Sequence, residues 1–167
     1  MTGIVLRRMA ASMFGCVLAV AAHAADDAQR FFGNWKIEKS EPAPWVTNAA
    51  KEVDRAEVKR LLAARVVFGA HRVEGPAPLA CKPSGYEIKN TAAEGLFEGG
   101  LDEMTHGKGA RAAAAKIGFT RDDIPTLAPA CESEVAYHAI DDDHLVFALN
   151  NTLYRMIRMS AAPVRSK

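Results

Sequence analysis

Cysteine is scarce in this 167-residue chain, which contains only Cys16, Cys81 and Cys131. None of them has a second cysteine or a histidine at the spacing of a zinc site, so the sequence predicts no bound metal and no other cofactor. Lysine and arginine form no basic cluster. Because a basic patch is what attracts nucleic acid or an anionic membrane surface, we expect neither as a partner.

The chain also lacks the common catalytic motifs. It has no array of the His-x-x-Glu-His type for a catalytic metal and no Gly-x-Ser-x-Gly elbow for a nucleophilic serine. His138 and His144 flank the aspartates at positions 141–143. We interpret that group as a charged surface turn, and a divalent-cation site is the alternative. The sequence therefore predicts a protein that is not an enzyme.

The first 24 residues have the composition of a secretory signal peptide. The basic pair Arg7-Arg8 is followed by apolar residues 9–22 and by Ala22-His23-Ala24, which fits the small-x-small cleavage rule. The apolar run is short for a membrane span, which needs about 20 residues. We therefore predict a signal peptide, residues 1–24, and a single β-rich domain, residues 25–167. The domain is expected to be periplasmic or secreted, with no membrane span after cleavage.

Removal of the predicted signal peptide would change both the charge and the cysteine count. It would leave 19 basic and 20 acidic residues, a formal net charge of −1. Cys81 and Cys131 would be the remaining cysteines, and an even pair in an oxidising compartment predicts a disulfide. Two buried free thiols are the alternative. A domain of this length can bury a substantial core.

Residues 144–159 have the pattern of a β-hairpin. Asn150-Asn151 suits a two-residue type I′ turn, because asparagine tolerates positive φ. That turn opposes Leu149 to Thr152, Phe147 to Tyr154, Leu145 to Met156 and Asp143 to Arg158. The first face then carries Leu145, Phe147, Leu149, Tyr154, Met156 and Arg158, and the second His144, Val146, Ala148, Leu153, Arg155 and Ile157. A lone hairpin is marginally stable, so the rest of the chain must supply a larger sheet.

Short alternating or β-branched segments predict the other strands, at residues 35–38, 66–68, 71–73, 79–81, 86–89 and 135–140. Pro125 and Pro129 keep their stretch extended. Residues 49–64 predict one longer helix, capped by Thr47 or Asn48. Two short helices are predicted at 91–98 and 110–117, with a loop at 99–109 between them. The fold class is mainly β (α+β): a small antiparallel meander barrel or half-barrel with one longer and two short helices.

Gly33-x-Trp35 on the first strand and Arg158 late in the last resemble the calycin superfamily, which includes lipocalins and fatty-acid-binding proteins. In that superfamily the tryptophan closes one end of the barrel and the arginine packs across it. The resemblance therefore implies that Trp35 and Arg158 touch. Arg155 is the less favoured partner because it faces the other way. The helix at 49–64 and the insertion at 91–130 depart from the lipocalin meander.

These features predict a non-catalytic binding protein with a lipocalin-like sheet that holds a small apolar ligand. Trp35, Leu145, Phe147, Tyr154 and Met156 would line the pocket. Cys81, Cys131 and Arg158 would be structural. The alternative for the five pocket residues is a solid core, as is common in small barrels. The alternative function is a periplasmic inhibitor or immunity protein that plugs a cell-wall hydrolase or toxin, with the 99–109 loop as its contact element.

Overall fold

Eight strands form one antiparallel sheet in the computed structural model, which describes residues 30–160. The predicted signal peptide, residues 1–24, lies outside the described residues. The strands are β1 Gly33–Pro42, β2 Arg65–Gly69, β3 Arg72–Glu74, β4 Tyr86–Thr91, β5 Ile124–Pro129, β6 Tyr137–Ala139, β7 His144–Leu149 and β8 Thr152–Arg158. Their spatial order is β3-β2-β1-β8-β7-β6-β5-β4. This is a meander whose first and last strands pair and which is open between β3 and β4, so the predicted β half-barrel is confirmed.

The hairpin β7–β8 has the predicted register. Leu145 lies opposite Met156, Phe147 opposite Tyr154, and Leu149 opposite Thr152. Asn150 and Asn151 have φ values of 43° and 64°, as a type I′ turn requires.

The helices differ from the expectation in two places. They are α1 Ala49–Glu52, α2 Arg55–Leu61, a 3₁₀ segment Ala93–Gly99, α3 Gly100–Thr105 and α4 Ala110–Ile117. The predicted helix at 49–64 is divided because the Asp54 carboxylate accepts hydrogen bonds from the N–H groups of Ala56 and Glu57, at 2.9 and 3.0 Å, and so starts a new helix. The expected loop at 99–109 contains α3. Within residues 30–160, no helix has the length and apolar character needed to cross a membrane.

The central strands are buried on both faces. The concave face packs a core that includes Ile37, Phe68, Leu145, Phe147 and Met156. The convex face packs a second core, in which the 3₁₀ segment, α3 and α4 cover the sheet; its members include Leu96, Leu101, Ile117, Val146 and Leu153. Successive residues of β7 and β8 therefore enter different cores.

The two free edges of the sheet are joined by side chains. Cys81, which forms a bridge with Val73 of β3, is disulfide-bonded to Cys131, which follows β5, so the predicted disulfide is confirmed. The Tyr86 hydroxyl of β4 donates a hydrogen bond to the Gly69 carbonyl at the end of β2, at 2.6 Å. A loop of 50 residues closed by the disulfide stabilises the fold by about 4 kcal/mol in the chain-entropy model.

Trp35 and Arg158 are directly opposed in the β1–β8 ladder, and their predicted contact is confirmed. The guanidinium carbon lies 4.2 Å from the centroid of the indole ring. The indole N–H donates to the Phe31 carbonyl at 2.8 Å. Arg158 donates to the carbonyls of Phe32, at 3.1 Å, of Asp142, at 2.9 Å, and of Arg30. Gly33, whose φ is +116°, provides a backbone conformation here that side-chain-bearing residues rarely adopt.

A double-mutant cycle tests this contact. We expect Arg158→Met to cost about 2 kcal/mol in unfolding free energy, because several carbonyls lose a donor. Trp35→Phe should cost a similar amount, and the double variant should cost less than the sum by about 1 kcal/mol, since the cation–π contact is then lost only once. Urea unfolding measures all three free energies.

Arg155 provides the matched control for that cycle. It also lies on β8, but its side chain donates to the Ile117 carbonyl on the convex side. Arg155→Met should combine additively with Trp35→Phe. Equal coupling energies for Arg155 and Arg158 would contradict a specific Trp35–Arg158 interaction.

Candidate functional site

The five predicted pocket residues lie together in the concave core. Trp35, Leu145, Phe147, Tyr154 and Met156 are all fully buried. The Phe147 ring stacks on Tyr154 at a centroid distance of 5.0 Å and contacts Tyr137 at 5.3 Å. These side chains therefore fill space inside the half-barrel. That they contact a ligand stays a prediction.

A cleft of about 1000 Å³ lies at the end of the sheet, and none of the five predicted residues lines it. Four segments form its walls: the chain after β1, the 3₁₀ segment with α3, the chain before β6, and the β7–β8 turn. Its lining includes Trp45, Phe97, Glu98, Gly100, Glu103, Met104, His106, Glu134, Val135, His138, Ala148, Leu149, Asn150 and Asn151. The cleft therefore combines apolar and aromatic surface with acidic and amide groups.

Most residues other than glycine that have a left-handed backbone conformation in the described chain line this cleft. Within residues 30–160, seven residues other than glycine have positive φ, and six of them line this cleft. They are Phe97, Glu98, His106, Glu134, Asn150 and Asn151; the seventh is Ala63. The left-handed conformation costs about 1–2 kcal/mol for a residue with an ordinary side chain, so the strained residues at the cleft are Phe97, Glu98, His106 and Glu134. Asn150 and Asn151 tolerate it in their type I′ turn. Such strain is concentrated at functional sites in proteins, because the surrounding structure must hold it in place.

Trp45 forms one wall of the cleft and is held on three sides. Its indole N–H donates to the Asn151 side-chain oxygen at 3.3 Å. Its ring lies 5.9 Å from the Phe97 ring, centroid to centroid. Gly100 permits a close approach, because a Cβ atom there would be only 3.1 Å from two ring carbons. Trp45 is half-buried, so part of its ring faces the cleft.

His138 lies at the floor of the cleft and is 2% exposed. The Thr126 hydroxyl donates to the Ile124 carbonyl at 3.1 Å, so it accepts from the His138 Nδ1–H at 2.9 Å. This tautomer leaves Nε2 as the acceptor for the backbone N–H of Phe97, at 3.4 Å. His138 thus holds one of the strained residues. Burial, with a smaller contribution from Lys89, lowers the pKa of His138 to about 3.

A buried carboxylate fixes the turn at the other side of the cleft. Glu57 of α2 is 3% exposed. It accepts hydrogen bonds from the Asn150 side-chain amide at 2.7 Å and from the Tyr154 hydroxyl at 2.9 Å. Burial, and then the hydrogen bond to Glu57, raise the pKa of Tyr154, so its hydroxyl keeps the proton that it donates. The position of the turn is therefore coupled to α2.

The acidic turn at 141–143 has the geometry of a charged surface turn. Asp141 accepts from His144 at 2.8 Å, Asp142 pairs with Arg30 at 3.2 Å, and Asp143 lies 3.7 Å from Arg158. Each aspartate thus faces a different basic side chain. Within residues 30–160, no three His, Cys, Asp or Glu side chains are grouped as ligands for a metal ion.

Only some of the residues that line this cleft could be predicted from the sequence. Asn150-Asn151 was predicted as a turn, and the 99–109 segment, predicted as a contact element, contributes Gly100, Glu103, Met104 and His106 to the lining. Trp45, Phe97 and His138 were not predicted as site residues. No pattern in the sequence indicates that Phe97 adopts positive φ, because neither it nor its neighbour Glu98 is a glycine or an asparagine.

The strain at the cleft is measurable by a glycine substitution. Glu134 is exposed and has a φ of 50°. Glu134→Gly should raise the unfolding free energy by about 0.5–1 kcal/mol, because relief of the left-handed strain exceeds the entropy that glycine adds to the unfolded chain. Glu132→Gly, at an exposed position without positive φ, should lower it by about 0.5–1 kcal/mol. Urea unfolding that finds both variants equally destabilised would contradict the strain.

His138 should make the protein sensitive to acid. Its pKa in the folded state, about 3, lies below the ordinary value of 6.5, so the unfolded chain binds a proton first as the pH falls. The contribution of neutral His138 to stability is complete above pH 6.5 and is lost progressively between pH 6.5 and 3. We expect the unfolding free energy of the wild type to fall more steeply than that of His138→Gln, by about 1.4 kcal/mol per pH unit.

His71 serves as the control for that measurement. It lies in the exposed turn between β2 and β3. His71→Gln should reproduce the slope of the wild type in urea unfolding between pH 6.5 and 3, the window bounded by the two His138 values. Parallel slopes for the wild type and His138→Gln would show that the buried imidazole does not control acid stability.

The cleft must be interpreted from its own geometry. No protein-family model, no curated protein and no solved structure matches this chain. The resemblance to the calycins therefore stays a prediction that rests on Gly33, Trp35 and Arg158.

Proposed function

We propose that this chain is an exported, non-catalytic binding protein that holds a small, partly apolar ligand in the cleft beside the β7–β8 turn. One observation carries the proposal: residues 30–160 contain five residues with positive φ that are neither glycine nor asparagine, and four of them, Phe97, Glu98, His106 and Glu134, line this cleft. Backbone strain that is concentrated at one place is typical of functional sites, and a ligand site is one of these.

The size and lining of the cleft suit a small molecule. Pockets for such ligands have volumes of about 300–1000 Å³ and combine apolar walls with a few polar groups. The cleft is at the upper end of that range. Phe97, Met104 and Leu149 provide apolar surface, and Trp45 provides a partly exposed aromatic wall. The proposed site therefore lies outside the concave core, in which the sequence placed the ligand.

The chemistry of His138 supports binding without catalysis. Both of its ring nitrogens have partners, Thr126 and the Phe97 backbone, so neither is available to a substrate. Its pKa of about 3 makes it a weak base at neutral pH. Export is supported by the composition of residues 1–24 and by the Cys81–Cys131 disulfide, a bond typical of oxidising compartments.

An inhibitor or immunity protein is the second candidate function. It is favoured by the contribution of the 99–109 segment to the cleft, through Gly100, Glu103, Met104 and His106. In that case the occupant of the cleft is a side chain or short segment of an envelope hydrolase or toxin. A small-molecule titration separates the two candidates.

Trp45 is a natural reporter for the titration. The chain has two tryptophans, and Trp35 is fully buried in the concave core. A Trp35→Phe variant therefore carries its remaining indole at the cleft. We expect the neutral probe N-phenylnaphthylamine to quench Trp45 fluorescence in this variant and to gain fluorescence itself, with a dissociation constant in the micromolar range, about −8 kcal/mol. Gly100→Ala, which displaces the Trp45 ring, should weaken binding about tenfold, or about 1.4 kcal/mol.

Phe147→Leu is the matched control, because it alters the concave core and leaves the cleft lining unchanged. If it leaves the affinity unaltered while Gly100→Ala weakens binding, the ligand occupies the cleft. If Phe147→Leu alone weakens binding, the ligand lies inside the half-barrel as the sequence predicted. Failure of the folded protein to bind this neutral probe or any charged aromatic analogue of it would refute small-molecule binding and would leave the inhibitor as the remaining candidate.

A further inference from the structure

We infer that the ligand of the cleft is a small organic cation, an ammonium group on an apolar or aromatic body. The inference rests on the proposed function and specifies the class of ligand. It is carried by three carboxylates, an aromatic wall and the distribution of basic side chains around the cleft.

Glu98, Glu103 and Glu134 line the cleft, and all three side chains are exposed. Within residues 30–160, their carboxylates form no ion pair and accept no hydrogen bond. Many other carboxylates are paired: Glu41 with Lys39 and Arg155, Glu74 with Arg72, Glu87 with Lys89, and Asp122 with Arg111. Three carboxylates without a partner therefore line one cleft, and the other five in residues 30–160 lie outside its lining: Glu38, Glu94, Asp102, Asp123 and Glu132.

The basic side chains among the described residues of the lining are two histidines, His106 and His138. No lysine or arginine is among the described residues that line the cleft. His138 is neutral at pH 7 because burial lowers its pKa to about 3. The lining thus carries three carboxylates and neither lysine nor arginine, although the net charge of the predicted mature chain is only −1. The field in the cleft therefore attracts cations and repels anions.

Trp45 adds the second element of cation recognition. The face of an indole ring attracts an ammonium group placed over it, and the attraction is largest where water is excluded. Trp45 is half-buried and its ring is fixed by Phe97, Gly100 and Asn151. Phe97 and Met104 offer apolar surface beside it for the body of the ligand. Carboxylates and an aromatic wall that line the same cleft fit an ammonium group attached to an apolar body.

Three naphthalene compounds that carry a cationic, a neutral or an anionic group test the inference. They are naphthylmethyl-trimethylammonium, naphthylmethanol and naphthylacetate, titrated into the disulfide-bonded protein by calorimetry at low salt. We expect the cation to bind about tenfold more tightly than the neutral alcohol, and the anion to bind most weakly. The preference for the cation should shrink in 0.5 M salt, because the carboxylates are exposed and screened.

Two sets of variants locate the origin of that preference. A triple variant, Glu98→Gln, Glu103→Gln and Glu134→Gln, should bind the alcohol as the wild type does and should lose most of the preference for the cation. Glu74→Gln, on β3 and outside the cleft lining, should keep the full preference. If circular dichroism shows that the triple variant is poorly folded, the three single variants replace it, and each should lose part of the preference for the cation.

Each outcome decides one of the two proposals. If the alcohol binds as tightly as the cation, the ligand class is wrong and the binding function stands. If the cation is preferred but the triple variant keeps the preference, the assignment to these carboxylates is wrong. If neither N-phenylnaphthylamine nor any of the three compounds binds, both the ligand class and the proposed small-molecule function are wrong. A preference that the triple variant loses and Glu74→Gln keeps supports the inference.

Discussion

Burial of both faces of the β7–β8 hairpin is the constraint on which the rest of the structure depends. Phe147 and Tyr154 enter the concave core, whereas Val146 and Leu153 enter the convex one. A single curled sheet covers only its concave face by its own curvature. The convex face of the central strands therefore requires the helical layer formed by the 3₁₀ segment, α3 and α4. Residues 91–119, which interrupt the meander between β4 and β5, supply that layer.

The cleft follows from where this layer ends. The helices cover Val146 and Leu153 but stop short of the turn at Asn150-Asn151, so a space is left between α3 and the end of the hairpin. The chain enters that space at Phe97 and Glu98, whose left-handed conformations redirect it from the 3₁₀ segment into α3. His138 from the sheet accepts the N–H of Phe97 and ties this reversal to β6. The strained wall and the sheet are thus one connected unit.

Local patterns in the sequence were sufficient for the hairpin and insufficient for the cleft. The register of β7–β8 was predictable because the alternation of side chains and the Asn-Asn turn lie within 16 residues. The Trp35–Arg158 contact was predictable only through the family resemblance. The division of the helix at Asp54 carried a local signal, since Asp54 and Glu57 are spaced as a capping box. The positions of Trp45, Phe97 and His138 depend on packing between segments that are far apart in the chain. No local sequence pattern predicts that packing.

The packing of the concave core explains why a ligand site outside the sheet is physically preferable in this protein. Phe147, Tyr154 and Tyr137 contact one another, and Trp35 is covered by Arg158, so a ligand inside the half-barrel must displace close aromatic contacts. Removal of one large side chain from such a core costs about 3–5 kcal/mol, and a ligand there must recover a comparable loss. The cleft requires no such displacement, because its volume already exists and its strain is already supported by His138 and Glu57. A half-barrel with a filled interior can therefore serve as the framework for the proposed binding surface at the end of the hairpin.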